Sequence, residues 1–187
     1  LAETEKYAHL TYFFNGGREM PFPLEERILV PSPKVSTYDL KPEMSAREVA
    51  DETIKHLQKN RYQFVIVNFA NADMVGHSGK ISASIKACEA VDSNLARLVK
   101  AAGENSYEAI IIADHGNAEK MLDSDGKPVT AHTTSLVPFI YSGKDFQLAE
   151  IKEPKLANVA PTILAIMEID KPYQMTEKSL LKRKRNV

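Results

Sequence analysis

A chain of 187 residues, 43% hydrophobic and 26% charged, has the size and balance of one soluble globular domain. Its net charge of −1 gives no basis for nucleic-acid or membrane-surface binding, and no apolar run approaches the ~20 residues of a membrane span. A single cysteine, Cys88, excludes an internal disulfide framework and fits a reducing, cytoplasmic setting.

No signal peptide is visible, and the chain begins at Leu1 rather than Met, as a processed chain or a piece of a longer one would. Tyr7 to Phe14 fits a helix or a strand, and Asn15-Gly16-Gly17 ends it either way. Residues 20–44 carry Pro21, Pro23, Pro31, Pro33 and Pro42 and read as an irregular but packed crossing, with Ile28-Leu29-Val30 turned inward. Ser45 and Glu48 have the spacing of a capping box, which predicts a helix over 46–59 with Val49, Ile54 and Leu57 inward. Tyr62 to Phe69 reads as a central strand buried on both faces. Ile81, Ile85, Cys88, Val91, Leu95 and Leu98 fall at helical spacing, predicting a long helix over about 81–102. Ala109 to Ala113 is a second buried strand, residues 119–130 a hairpin about Asp125-Gly126, and Val137 to Tyr141 a third strand. A last helix spans Leu156 to Glu168, with Pro161 in its first turn or kinking it. Lys182-Arg183-Lys184-Arg185 reads as a solvated, frayed end rather than a nucleic-acid signal.

Helices alternating with buried strands imply a mostly parallel sheet with helices on both faces, an α/β class whose functional residues gather beyond the carboxyl ends of strands. Asp73 and His77 follow the first strand, Asp114 and His115 the second, and His132 lies in a later loop. Asp and His of this kind bind Mn²⁺ or Zn²⁺, and five of them can begin a two-metal site without completing it. Taken singly, each has a plainer reading: an Asp after a strand is often a helix N-cap, and a lone His is usually only polar. That plainer reading is given to His9 and His56, the latter placed on a solvated helix face beside Lys55 and Lys59. On spacing alone Lys6 is an exposed N-terminal lysine.

Long motifs add a resemblance. ETEKYAH (3–9), YFFNGG (12–17), LVPSPKV (29–35), TYDLKPEMSA (37–46), NFANADMVGH (68–77), ADHGNAE (113–119), TAHTT (130–134) and VPFI (137–140) closely resemble cofactor-independent phosphoglycerate mutase. That is the 2,3-bisphosphoglycerate-independent glycolytic enzyme of the alkaline phosphatase superfamily. The match runs from about residue 2 to 180 and concerns the C-terminal part of that enzyme. It implies an alkaline-phosphatase-like partial domain over 1–187, lacking the segment with the nucleophilic serine and the inserted substrate-binding domain. It implies two Mn²⁺ ions, with Zn²⁺ or Co²⁺ as alternatives, one on Asp73, His77 and His132 and the other on Asp114 and His115. It places Lys6 beside the transferring phosphoryl group, as a catalytic and substrate-binding residue. It further implies interconversion of 3- and 2-phosphoglycerate through a phosphoserine, a monomeric parent enzyme, and a piece that is inactive alone. Ser78, Ser135-Leu136 and Glu177 depart from the family pattern, none of them at a matched ligand. Ser32, Ser36 and Ser45 lie in other motifs and are not taken as the nucleophile. Two rival readings are a metal-dependent phosphatase of the same superfamily and a non-catalytic metal-binding module.

Overall fold

The computed structural model describes residues 1–184 and divides into two units, Leu1–Phe139 and Ile140–Val187. The first begins with β1 (Ala2–Glu3), which pairs in parallel with β2 (Leu29–Val30), Ala2 opposite Leu29 and Glu3 opposite Val30. A 3₁₀ turn over Thr4–Lys6 and a π-helical turn over His9–Phe13 follow β1, so the ambiguous N-terminal run is helical. Gly16 and Gly17 end it with φ of 67° and 86°, a conformation that glycine adopts without penalty. The proline-rich crossing is irregular outside β2 and a 3₁₀ turn at Tyr38–Leu40.

Helix α1 (Ala46–Leu57) forms as the pattern predicts, but its start differs. The Ser45 hydroxyl donates to the Pro31 carbonyl at 2.7 Å and makes no cap bond, so the capping box does not form and Ser45 ties the helix to the proline crossing instead. Val49 and Leu57 are buried as expected, and Thr53 rather than Ile54 completes the stripe. Thr53 satisfies its hydroxyl on the Val49 carbonyl at 2.7 Å, which makes it an acceptable core residue. His56 corrects the solvated reading: it is buried, with Nδ1 2.7 Å from the Glu52 carbonyl.

Helix α2 (Asn71–Gly76) is short and packs on α3 (Ile81–Glu104), which also carries α1. The most deeply buried positions of α3 are small or polar, while its apolar stripe is half-buried at Val91, Leu95 and Leu98 and exposed towards its start. Ala83, Ser84, Ala87, Asn94, Ala101 and Ala102 are buried, while Ile81, Ile85 and Cys88 are exposed. Small side chains on this face let α1 and α2 approach α3 closely. The core gathers around Met44, Ala70, Val75, Ala83 and Ala87, with Tyr38 and Met74 packed against it.

The run 62–69 forms no strand among the described residues, and Phe64 is exposed. Its backbone is tied at Leu1, whose terminal ammonium donates to the Ile66 carbonyl at 2.9 Å and whose carbonyl accepts from Asn68 N at 3.1 Å. Apolar sequence shows what a segment is able to bury. Whether anything lies over it is a separate matter. Strand β3 (Ile110–Ile112) is likewise half-buried rather than buried. The hairpin about Asp125-Gly126 forms as expected, with Gly126 at φ 77° and Val129 N donating to the Met121 carbonyl at 2.8 Å. Strand β4 (Phe139–Tyr141) starts just after Pro138.

In the second unit β5 (Phe146–Leu148) pairs antiparallel with β6 (Leu181–Arg183), and α4 (Val159–Ile166) follows a 3₁₀ turn at Leu156–Asn158. Pro161 sits in the first turn of α4, where its missing N–H is no loss. Asn158 and Thr162 are buried and hold the returning chain, through Lys178 O at 2.8 Å and Leu180 N at 2.8 Å. The frayed reading of the basic tail is corrected for Lys182 and Arg183, which lie in β6, and for Lys184, whose N–H donates to the Asp145 carbonyl at 2.8 Å. Arg185 lies outside the described residues. Among the described residues no helix is long and apolar enough to cross a membrane.

Candidate metal centre

Asp73 lies on α2 and His77 caps its C-terminal end in helical conformation, one turn further on, so both fall on one face. The loop after the 121–129 hairpin brings in His132. Asp73 Oδ1, His77 Nε2 and His132 Nε2 form a near-equilateral triangle, with edges of 3.1 Å (Asp73–His77), 3.0 Å (Asp73–His132) and 3.1 Å (His77–His132). With metal–ligand bonds of about 2.1 Å, donors at right angles around one ion stand about 3.0 Å apart. One carboxylate oxygen and two imidazole nitrogens in that spacing therefore fit a divalent ion of the Mn²⁺, Co²⁺ or Zn²⁺ kind.

The surroundings fix two of the three donors. His77 Nδ1 lies 2.6 Å from the Thr130 carbonyl; an N–H donated there leaves the Nε2 lone pair to face the triangle. Asp73 is mostly buried. Lys6 Nζ donates to its Oδ2, and Asn117 Nδ2 donates to its Oδ1 at 2.7 Å and to its backbone carbonyl at 3.3 Å. Burial alone would push the Asp73 carboxyl up, but the hydrogen bonds from Lys6 and Asn117 and the lysine's charge outweigh it, and its pKa falls to about 2. Asp73 is thus an anion at any physiological pH. Lys6 is itself buried, which overturns the exposed reading that spacing alone suggested.

Asp114 and His115 are placed next to this triangle without joining it. The His115 ring stacks on His132 with centroids 3.6 Å apart, and its Nε2 lies 3.6 Å from Asp114 Oδ1. The Asp114 side chain is 61% exposed. Two donors with open positions can hold an ion only with further ligands or water.

Sequence reasoning missed Asn117, Glu119 and Thr133. Glu119 accepts from the Asn117 backbone N–H at 2.6 Å and from the Thr133 hydroxyl, and Thr133 N–H donates to the Gly116 carbonyl at 2.8 Å. Those bonds hold the Glu119 carboxyl down to about 2, the Thr133 hydroxyl foremost. The only signal in the sequence was their position within ADHGNAE and TAHTT, where Asn after Gly reads as a turn former.

A divalent-metal centre on an alkaline-phosphatase-like α/β scaffold defines a class, and residues 1–171 match the model of the metalloenzyme superfamily, to which this chain belongs. Within that class it is similar to 2,3-bisphosphoglycerate-independent phosphoglycerate mutases. It is 54% identical to that of Moorella thermoacetica and 55% identical to that of Bacteroides thetaiotaomicron, in each case over 97% of this chain. A crystal structure of Leishmania mexicana phosphoglycerate mutase, determined at low cobalt concentration, superposes with a TM-score of 0.91 at 33% identity over 98% of this chain. The chain spans 35% and 36% of the two bacterial relatives and 37% of the Leishmania chain.

Proposed function

We propose that this chain is the metal-binding part of a 2,3-bisphosphoglycerate-independent phosphoglycerate mutase, a cytoplasmic, monomeric isomerase interconverting 3- and 2-phosphoglycerate in glycolysis. The observation that carries the reading is the convergence of Asp73, His77 and His132 beside a buried Lys6, in a chain 54–55% identical to enzymes of that name. Mn²⁺ is the proposed ion, at Asp73, His77 and His132 and again at Asp114 and His115. Bound divalent ions would supply positive charge for the transferring phosphoryl oxygens and for an alkoxide. Lys6 holds its ammonium at Asp73 Oδ2, next to that centre, where it can meet the negative charge that spreads over a phosphoryl group in transfer.

Ser32 and Ser45 are engaged elsewhere, on Glu3 at 2.8 Å and on the Pro31 carbonyl, which supports a nucleophile from another part of the enzyme. The exposed Phe64, Ile85 and Ile112 support the rest of that enzyme as the chain's partner. The test is the full-length protein with Mn²⁺ and 3-phosphoglycerate, without added 2,3-bisphosphoglycerate. Formation of 2-phosphoglycerate in an enolase-coupled assay, without phosphate release, is expected. Release of free phosphate instead would make it a phosphatase. The isolated 187-residue chain should not turn over.

A further inference from the structure

We propose that Asn117 is a positioning residue for the metal centre, and that Glu119 and Thr133 lock the Asn117 loop to the His132 loop so that the carboxylate and the imidazole arrive in register. The inference rests on the reading of Asp73, His77 and His132 as metal ligands. Asp73 Oδ1 is the oxygen that faces both imidazoles, and it is also the oxygen that accepts the Asn117 amide at 2.7 Å. An sp² oxygen has two lone pairs. With one committed to Asn117, the other is aimed at the point the two Nε2 atoms share. The second bond, to the Asp73 carbonyl at 3.3 Å, ties the same amide to the backbone of α2, so side chain and helix are held as one body.

Asn117 is in turn fixed. It is buried, and its own N–H is held by Glu119 Oε2 at 2.6 Å. The other Glu119 oxygen takes the hydroxyl of Thr133, the residue after His132. One carboxylate therefore joins the segment that orients Asp73 to the segment that presents His132, and the Thr133 N–H bond to Gly116 closes the joint from the backbone side. Two glycines make the close approach possible. A Cβ on Gly76 would overlap the Asn117 amide, and a Cβ on Gly116 would overlap the Thr133 hydroxyl and the Glu119 carboxylate. Among the described residues Asn117 Oδ1 has no hydrogen-bond partner, and it lies against Gly76. The amide is oriented by what its nitrogen does.

The experiment measures Mn²⁺ affinity by calorimetry and the Co²⁺ absorption spectrum on the full chain, for wild type, His77→Ala, Asn117→Ala, Thr133→Val and Thr133→Ser. Thermal unfolding of each metal-free protein is recorded alongside. Asn117→Ala should weaken Mn²⁺ about 10- to 100-fold, the range for residues that orient ligands, and should alter the Co²⁺ spectrum. Thr133→Val, nearly the same shape without the hydroxyl, should weaken Mn²⁺ in the same direction, and Thr133→Ser should restore it. The threonine pair keeps the test valid if Asn117→Ala does not fold. Affinity and spectrum unchanged in Asn117→Ala or Thr133→Val, while His77→Ala loses the ion, would overturn the positioning role and leave the ligand assignment standing. Equal Mn²⁺ affinity in wild type and His77→Ala would overturn both.

Discussion

Two sets of candidate ligands lie side by side in the first unit, and they are held differently. Asp73 is braced by Lys6 and Asn117 and His77 by Thr130, and with His132 their donor atoms already stand 3.0–3.1 Å apart. The Asp114 side chain is exposed, its carboxylate 3.6 Å from His115 Nε2, and the His115 ring stacks on His132. Residue type is the same in both sets. The difference lies in the groups around them: a ligand is preorganised only where its neighbours consume its other hydrogen-bonding valences.

The sharpest way to test that contrast is to remove one donor from each set. His77→Ala should abolish tight Mn²⁺ binding in calorimetry, whereas Asp114→Ala should leave the tighter of two binding events in place. Equal losses in the two variants would erase the distinction between the sets. Next in size is the Lys6 ammonium. In the full-length enzyme, Lys6→Met should cut turnover by about 10²- to 10³-fold, the scale of losing one charge-stabilising donor, and should change Mn²⁺ affinity far less. An enolase-coupled rate measured at saturating Mn²⁺ decides it.

Two carboxylates sharpen the comparison from the side of the scaffold. Glu3 is fully buried, with one oxygen on Ser32 and the other unpartnered, and burial pushes its carboxyl above the ordinary 4.5. The folded state therefore holds this proton more tightly than the unfolded chain, and stability falls as pH rises from 4.5 through the raised value. Glu3→Gln should remove that decline and be more stable than wild type at pH 7 by about 1 kcal/mol, with no difference below pH 4.5. Urea unfolding at several pH values measures it. Glu119 runs the other way. Its carboxyl is held down at about 2, so its contribution is complete above 4.5 and is lost as pH falls from there towards 2. Because Glu119 is exposed, Glu119→Gln should lower Tm at pH 7 by about 2 °C or less, and the deficit should vanish near pH 2.

The three candidate donors of the triangle were legible because Asp and His are chemically conspicuous as metal-binding side chains. The residues that hold them were not. Asn117 resembles any turn asparagine, Thr130 acts through its carbonyl and carries no side-chain signal, and nothing in the spacing of Lys6 separates it from a surface lysine. The helices were legible from period and length. The orientation of α3 was not, because periodicity ranks faces by hydrophobicity while packing selected the face on which α1 and α2 approach. Strand 62–69 failed for a related reason: continuous apolar sequence predicts burial on both sides, and in this chain Phe64 remains exposed.

The alanine face of α3 reverses the usual expectation for tolerance to substitution. Ala87 is fully buried in the cluster with Met44, Ala70 and Val75. Enlarging it to leucine should overpack that cluster at about 1–3 kcal/mol, whereas trimming the exposed Ile85 to alanine in this chain removes little that is buried. Along this helix the smallest side chains are the ones least free to drift, and a library of variants sorted by stability would rank the alanines, not the isoleucines, as the constrained positions.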